Sequence, residues 1–209
     1  MQIDRIYYPV LTLGVGRRVG IWTLGCPHAC PACANPELWQ PDQHRDLPVP
    51  EIMQMISAIK QRIDGVTITG GEPFVQIPDL EELVTAIRST LTQDIMIYTG
   101  FTLSALRQMA DERVNNILNQ IAVLIDGPYV DEQNDGLGLR GSNNQKVHIF
   151  NPLFEDRRSA LEQGTRQVQN IFYGHSVFSI GIPPRNFREN IQHKLSAYGI
   201  ENADNNRRF

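Results

Sequence analysis

Four short apolar runs constrain this chain more than any other feature: residues 18–24, 66–69, 95–98 and 121–125. Each is rich in β-branched or aromatic residues and too short to make a helix, so each is expected to form a strand. Between them the period changes. Ile52, Met55, Ile56, Ile59 and Ile63 after Pro50, and Leu80, Leu83, Val84, Ile87 and Leu91 from about Asp79, recur at helical spacing. Residues 102–120 continue that pattern, in two pieces. Continuous apolar strands alternating with helices predict an α/β fold with a parallel sheet, whose ligand loops lie at the strands' carboxyl ends.

The unusual residues gather at those ends. The runs lead in turn into Gly25-Cys26, Gly70-Gly71-Glu72-Pro73, Thr99-Gly100 and Asp126-Gly127-Pro128. Residues 131–144, rich in Asp, Asn and Gly, read as loop before a strand at 146–150. Beyond Asn151 a polar helical segment runs to about Gln163. Two apolar runs, 168–173 and 177–182, are then expected to pair as a hairpin around Gly174-His175-Ser176. A helix over 186–198 and a polar tail follow. This divides the chain into a core domain, 1–150, and a small C-terminal α+β extension, 151–209.

All three cysteines fall in one window, Cys26-Pro27-His28-Ala29-Cys30-Pro31-Ala32-Cys33, with spacing C-x3-C-x2-C. An odd number so confined makes no self-contained disulfide framework. Six of the thirteen prolines lie between residues 27 and 50, so the cysteines sit on a stiffened loop rather than a helix. Thiolates are soft ligands, and two metals suit them: an iron–sulfur centre, or a closed structural zinc site with His28 as fourth ligand. The net charge of −4 without any Lys/Arg block gives no electrostatic footprint for nucleic acid or anionic lipid. No stretch approaches the roughly 18 apolar residues of a membrane span, and the start lacks a secretion signal, so the cytoplasm is expected. No Ser/His/Asp or paired-carboxylate constellation occurs. Trp22, Trp39, His148 and His175 read as structural, and His44 and His193 as surface residues.

The C-x3-C-x2-C spacing after a strand resembles the signature of the radical S-adenosylmethionine superfamily. Other stretches resemble its small activases of the anaerobic ribonucleotide reductase type: Tyr7-Tyr8-Pro9-Val10, Gly14-x-Gly16-x-Arg18, Asn35, Gly70-Gly71-Glu72-Pro73, Tyr98-Thr99-Gly100-Phe101, Val123-Leu124-Ile125-Asp126-Gly127 and Arg140-Gly141-Ser142-x-Asn144-Gln145. The resemblance implies an incomplete (β/α) barrel. In it Cys26, Cys30 and Cys33 hold three irons of a [4Fe–4S] cluster, and the fourth iron is left for S-adenosylmethionine. Gly70, Gly71, Glu72 and Pro73 then receive the ammonium of S-adenosylmethionine. Tyr98 either stacks on adenine or packs in the core, and Asp126 is a cofactor or substrate contact or a turn residue. Arg140, Ser142, Asn144 and Gln145 help to build the pocket. No catalytic side chain beyond the cluster is implied.

The implied chemistry is one-electron cleavage of S-adenosylmethionine to a 5′-deoxyadenosyl radical that takes hydrogen from a polypeptide. The implied partners are a large glycyl-radical enzyme and an electron donor such as flavodoxin or ferredoxin. The chain departs from the pattern at Ala34, where an aromatic is common, and in its extension beyond residue 151. The extension keeps a second reading open: a radical maturase of a ribosomally made precursor peptide, including excision of part of a residue from its backbone, working with a small peptide-recognition protein. A non-catalytic zinc module is the third. With no second cysteine cluster, no auxiliary iron–sulfur centre is expected.

Overall fold

The computed structural model describes residues 1–173 and 176–197. Six strands lie side by side in chain order: β1 (Ile3–Val10), β2 (Arg18–Thr23), β3 (Gly65–Gly70), β4 (Ile95–Tyr98), β5 (Val123–Asp126) and β6 (Lys146–Ile149). From β2 to β5 the pairing is parallel, whereas β1 and β6 run antiparallel on the two edges. The parallel sheet expected from the apolar runs is therefore the centre of a mixed one. Helix-bearing connections return the chain for parallel pairing, while residues 11–17 between β1 and β2 hold no helix and leave only the antiparallel partner. The cysteine loop consequently follows the second strand, not the first. β1 escaped the sequence reading because its six middle residues are all half-buried, which produces neither an apolar run nor a clean alternation.

Alternation along the strands sorts side chains onto two faces. One is covered by α1 (Val49–Ser57), α2 (Ile77–Thr90), α3 (Leu103–Gln108) and α4 (Glu112–Gln120). Leu80, Leu83, Val84 and Ile87 of α2 belong to the same fully buried cluster as Ile21, Ile68, Ile97 and Leu124 of the sheet. Burying each such side chain is worth about 1.5–3 kcal/mol. The helix α1 stops at Ser57, short of the expected span, yet Ile59 and Ile63 still pack against this cluster from the loop that follows. The start of α2 lies at Ile77, with a proline in its first turn, two residues before the expected Asp79.

The opposite face carries two smaller clusters, both completed by residues from beyond 151. Ile180 joins Val10, Leu13, Trp22, Leu24 and Leu38, and Leu161 joins Met96, Ala122, Val123, Ile125 and Val147. These two residues belong to α5 (Arg158–Gln163) and to the hairpin of β7 (Val168–Tyr173) and β8 (Ser176–Gly181), which α6 (Phe187–Ala197) follows. The expected hairpin is present. Its turn residues Gly174 and His175, and the end of the last expected helix at Tyr198 with the polar tail, lie outside the described residues.

At the strands' amino ends a buried charge network closes the sheet. Arg18, 1% exposed, donates to Asp94 Oδ2 (2.8 Å), Thr67 Oγ1 (2.7 Å) and the Val66 carbonyl (2.8 Å). Arg157, from the residues beyond 151, pairs with the same Asp94 oxygen. A Cβ at Gly14 would fall 2.5 Å from Arg18 Cδ, so that glycine in Gly14-x-Gly16-x-Arg18 clears space for the guanidinium arm.

Candidate metal centre

At the carboxyl ends of β2 to β5 lies a cavity of about 140 Å³, lined by the three cysteines together with His28, Trp39, Thr69, Gly70, Gly71, Glu72, Tyr98, Thr99, Gly100, Gly127, Tyr129 and Gln145. The loop from β2 enters it under restraint. Gly25 N–H donates to the Leu38 carbonyl (3.0 Å) and Cys26 N–H to that of Trp39 (2.9 Å), so the loop's exit is pinned to its entrance. Gly71 and Glu72 N–H groups reach the Thr23 and Gly25 carbonyls, each at 2.8 Å. A Cβ at Gly71 would lie 2.5 Å from the Gly25 oxygen, which is why that close approach needs glycine. Between the cysteines, Ala29 (φ 42°) and Ala32 (φ 58°) both adopt the left-handed conformation that non-glycine residues avoid.

The cysteines are free and half-buried. The Asn35 backbone N–H donates to Cys33 Sγ (3.4 Å), and the backbone N–H groups of His28 and Ala29 favour the Cys26 thiolate as that of Tyr129 favours the Cys30 thiolate. Burial pushes the Cys26 and Cys30 thiols up, and the neighbouring sulfur and the Glu72 charge push the same way while the N–H groups oppose. Three crowded sulfurs short of positive charge, whose thiols burial pushes up, fit a cationic iron–sulfur centre whose binding displaces thiol protons. Among the described residues, no three His, Cys, Asp or Glu side chains are placed to hold one single metal ion.

Glu72 is wholly buried, and its oxygens are already engaged. They accept from Phe74 N–H (3.0 Å), the Thr99 hydroxyl (2.8 Å) and Gly100 N–H (2.7 Å), and His28 Nε2 stands 3.2 Å away. The carboxylate thus ties the end of β3 to the end of β4 and to the cysteine loop. His28, considered above as a zinc ligand, faces Glu72 and meets Phe101 edge-on at 4.5 Å between ring centroids. Its ring lies so close over Gly100 that a Cβ there would overlap it.

Of the other residues singled out in the sequence, Tyr98 lines the cavity and donates to the Leu139 carbonyl (2.9 Å); burial pushes its phenol up. Pro73, Asp126, Arg140, Ser142 and Asn144 are not among the lining residues. Asp126 accepts from the backbone N–H groups of Leu103 (2.5 Å) and Lys146 (3.2 Å), fixing the start of α3 and of β6. His148 Nε2 stands 3.0 Å from Asp126. Arg140 pairs with Asp135 (2.8 Å), the Ser142 hydroxyl accepts from Val130 N–H (3.1 Å), and Asn144 donates to the Pro128 carbonyl (2.7 Å). Gln145 lines the cavity and also bridges its own loop, accepting from Gly141 N–H and donating to the Gly127 carbonyl, both at 2.7 Å. The motif's side chains thus chiefly hold the 127–145 loop together. Tyr129 and Trp39 line the cavity without having been singled out as site residues. Tyr129 contributes a backbone N–H, which every residue but proline carries, so no side-chain pattern could have marked it.

A family model described as a 4Fe-4S single cluster domain matches residues 12–148, and the chain belongs to that family. Within it the chain falls among the activating proteins. It is 33% identical over 150 residues to the anaerobic ribonucleoside-triphosphate reductase-activating protein of Escherichia coli (strain K12), covering 68% of this chain and 95% of the relative. The protein of the same name from Vibrio cholerae is 32% identical over 152 residues, 69% of this chain and 96% of the relative. That from Enterobacteria phage T4 is 28% identical over 151 residues, 70% and 93% respectively. No described helix is long and apolar enough to cross a membrane.

Proposed function

We propose that this protein is a radical S-adenosylmethionine enzyme of the cytoplasm that activates a glycyl-radical enzyme of the anaerobic ribonucleotide reductase kind. The observation that carries the proposal is the gathering of all three cysteines with Gly70 and Gly71 in one cavity at the carboxyl ends of the parallel strands, in a chain related to activating proteins. In this reading the six-stranded sheet is the incomplete barrel, and its open end admits a polypeptide. Cys26, Cys30 and Cys33 hold a [4Fe–4S] cluster. When bound, cluster and S-adenosylmethionine supply one-electron cleavage of the sulfonium, giving methionine and a 5′-deoxyadenosyl radical that takes a hydrogen atom from a glycine of the partner.

The chain's own residues bind and orient. Gly70 and Gly71 would let the amino acid moiety of S-adenosylmethionine approach the backbone closely, and Tyr98 would line the same pocket. Glu72 acts through position, holding Gly100 and His28 around the site. A flavodoxin or ferredoxin supplies the electron. The relatives favour this over maturation of a precursor peptide, since those named above are all reductase-activating proteins.

The test is anaerobic reconstitution with iron and sulfide, then dithionite and S-adenosylmethionine, with 5′-deoxyadenosine read by chromatography against Cys30→Ala. Product confined to the wild type is expected. A fully loaded cluster without product, alone or with partner, would sink the radical reading. A glycyl-radical signal in electron paramagnetic resonance of an added anaerobic reductase reads the activase step separately. Cleavage without that signal would sink the activase step alone.

A further inference from the structure

The residues beyond 151 are held to the rest of the chain in two unequal halves. The first is fixed by main chain and buried charge. Gly138 and Leu139 N–H groups donate to the carbonyls of Gly164 and Leu161, both at 2.7 Å, and Leu137 bridges Thr165 in antiparallel fashion. The Arg166 side chain, 4% exposed, donates to the carbonyls of Arg140 (2.5 Å), Gly141 (3.2 Å) and Leu137 (3.3 Å) and to Asn134 Oδ1 (2.7 Å).

The second half, the β7–β8 hairpin, rests on the sheet through side chains. Its strands form a sheet of their own, with no ladder to the six-stranded sheet among the described residues. Ile171, Phe178 and Ile180 turn inward onto the cluster of Trp22, Leu24 and Leu38. Phe178 meets Trp22 and Tyr7 edge-on, at 6.2 and 6.4 Å between ring centroids. The Thr12 hydroxyl donates to the Ile180 carbonyl (2.9 Å), and the Gln169 amide donates to the Pro9 carbonyl (3.0 Å) and accepts from Leu11 N–H (3.2 Å). On the outer side Phe172 and its cross-strand partner Val177 are 78% and 48% exposed. A two-stranded hairpin is marginal on its own, so the inward contacts keep it in place.

The covered face runs into the cavity. Tyr98, which lines the cavity, packs against both clusters that the residues beyond 151 complete. Leu24 and Leu38, of the cluster under the hairpin, flank the neck of the cysteine loop, where Gly25 N–H donates to the Leu38 carbonyl. We propose that the β7–β8 hairpin occupies the seat of the polypeptide substrate and is displaced from it when the substrate binds. The inference rests on the reading of the protein as an activase of a polypeptide. The hairpin shows what the seat takes: an extended segment with apolar side chains at alternate positions and an amide placed to bond Pro9 and Leu11. It lies outside residues 12–148, the span matched by the family model, so this chain carries its own competitor for the seat. A seat that is free only part of the time weakens apparent substrate binding by that fraction.

The experiment uses the reconstituted full-length protein with an added anaerobic ribonucleoside-triphosphate reductase. Amide exchange is read by mass spectrometry, and glycyl-radical formation by electron paramagnetic resonance. In the wild type, exchange over residues 168–173 and 176–181 should rise several-fold when the reductase is added. Exchange over 137–141 should stay level, because the Arg166 half remains seated. Phe178→Ala and the milder Thr12→Val should raise hairpin exchange without reductase, and should lower the reductase concentration for half-maximal radical formation several-fold. Phe172→Ser, on the outer side, should change neither. Radical formation with the hairpin still protected, an equal rise over 137–141, or an unmoved half-maximal concentration in both loosened variants would overturn the proposal. No radical with the wild type or either loosened variant, while 5′-deoxyadenosine is still made, would instead refute the activase reading and the seat with it.

Discussion

The two ends of the central sheet handle polarity in opposite ways. At the amino ends Arg18 and Asp94 are almost wholly buried, and the guanidinium's donors are spent inside the protein. At the carboxyl ends three sulfurs stand half-buried without a side-chain partner of opposite charge, on a loop bent through two left-handed alanines. A satisfied buried network holds strands together, whereas an unsatisfied one awaits something from outside. Glu72 warns against judging by location alone, because it sits at the carboxyl end and yet its oxygens are engaged internally as at the other end.

Four substitutions break or sharpen that contrast, with urea unfolding of the cluster-free protein as the measurement. Arg18→Ala should cost most, about 3–5 kcal/mol, because it strips one partner from a buried ion pair. A loss below 1 kcal/mol would mean that Arg157 alone satisfies Asp94. Glu72→Ala should follow at about 3 kcal/mol, since three buried donors lose their acceptor. If stability instead stays put and only S-adenosylmethionine binding weakens, Glu72 belongs with the sulfurs rather than with Arg18.

Gly100→Ala should cost about 1–2 kcal/mol, as the added methyl pushes the His28 ring off its seat. Pairing it with His28→Ala should recover most of that cost, which a double-mutant cycle would show. Cys30→Ala should change stability least, within about 0.5 kcal/mol, while abolishing iron loading as measured by metal analysis. Destabilisation comparable to Arg18→Ala would make the cysteine a structural residue and erase the contrast.

Much of this was legible in residues, and what escaped shares a cause. The strands β2 to β5 announced themselves because burial on both faces leaves continuous apolar runs, and α2 because its buried stripe keeps a strict helical period. The edge strand β1, half-buried along its middle, carried no such pattern. The cysteine window was evident from spacing, since soft ligands have little other reason to crowd a proline-rich loop. The partner of His28 was not evident, because Glu72 lies 44 residues away and only the sheet brings them together. Arg140, Ser142 and Asn144 are polar residues on a glycine-flexed loop, and nothing in their order distinguishes facing the cavity from bonding within their own loop, which is what the structure shows. Arg166 left no local mark, since an arginine in a polar stretch looks solvated until carbonyls surround it.

The two left-handed alanines bear on whether the cysteine loop can be moved elsewhere. Such residues cost on the order of 1–3 kcal/mol each, and only the surroundings hold them. Here those surroundings are the Glu72 carboxylate beside His28 and the Glu72 N–H on the Gly25 carbonyl, both supplied from outside the loop. Grafted as a linear stretch into another scaffold, residues 25–39 would keep every ligand and lose the bend, so the motif is not portable without the strand ends that hold it.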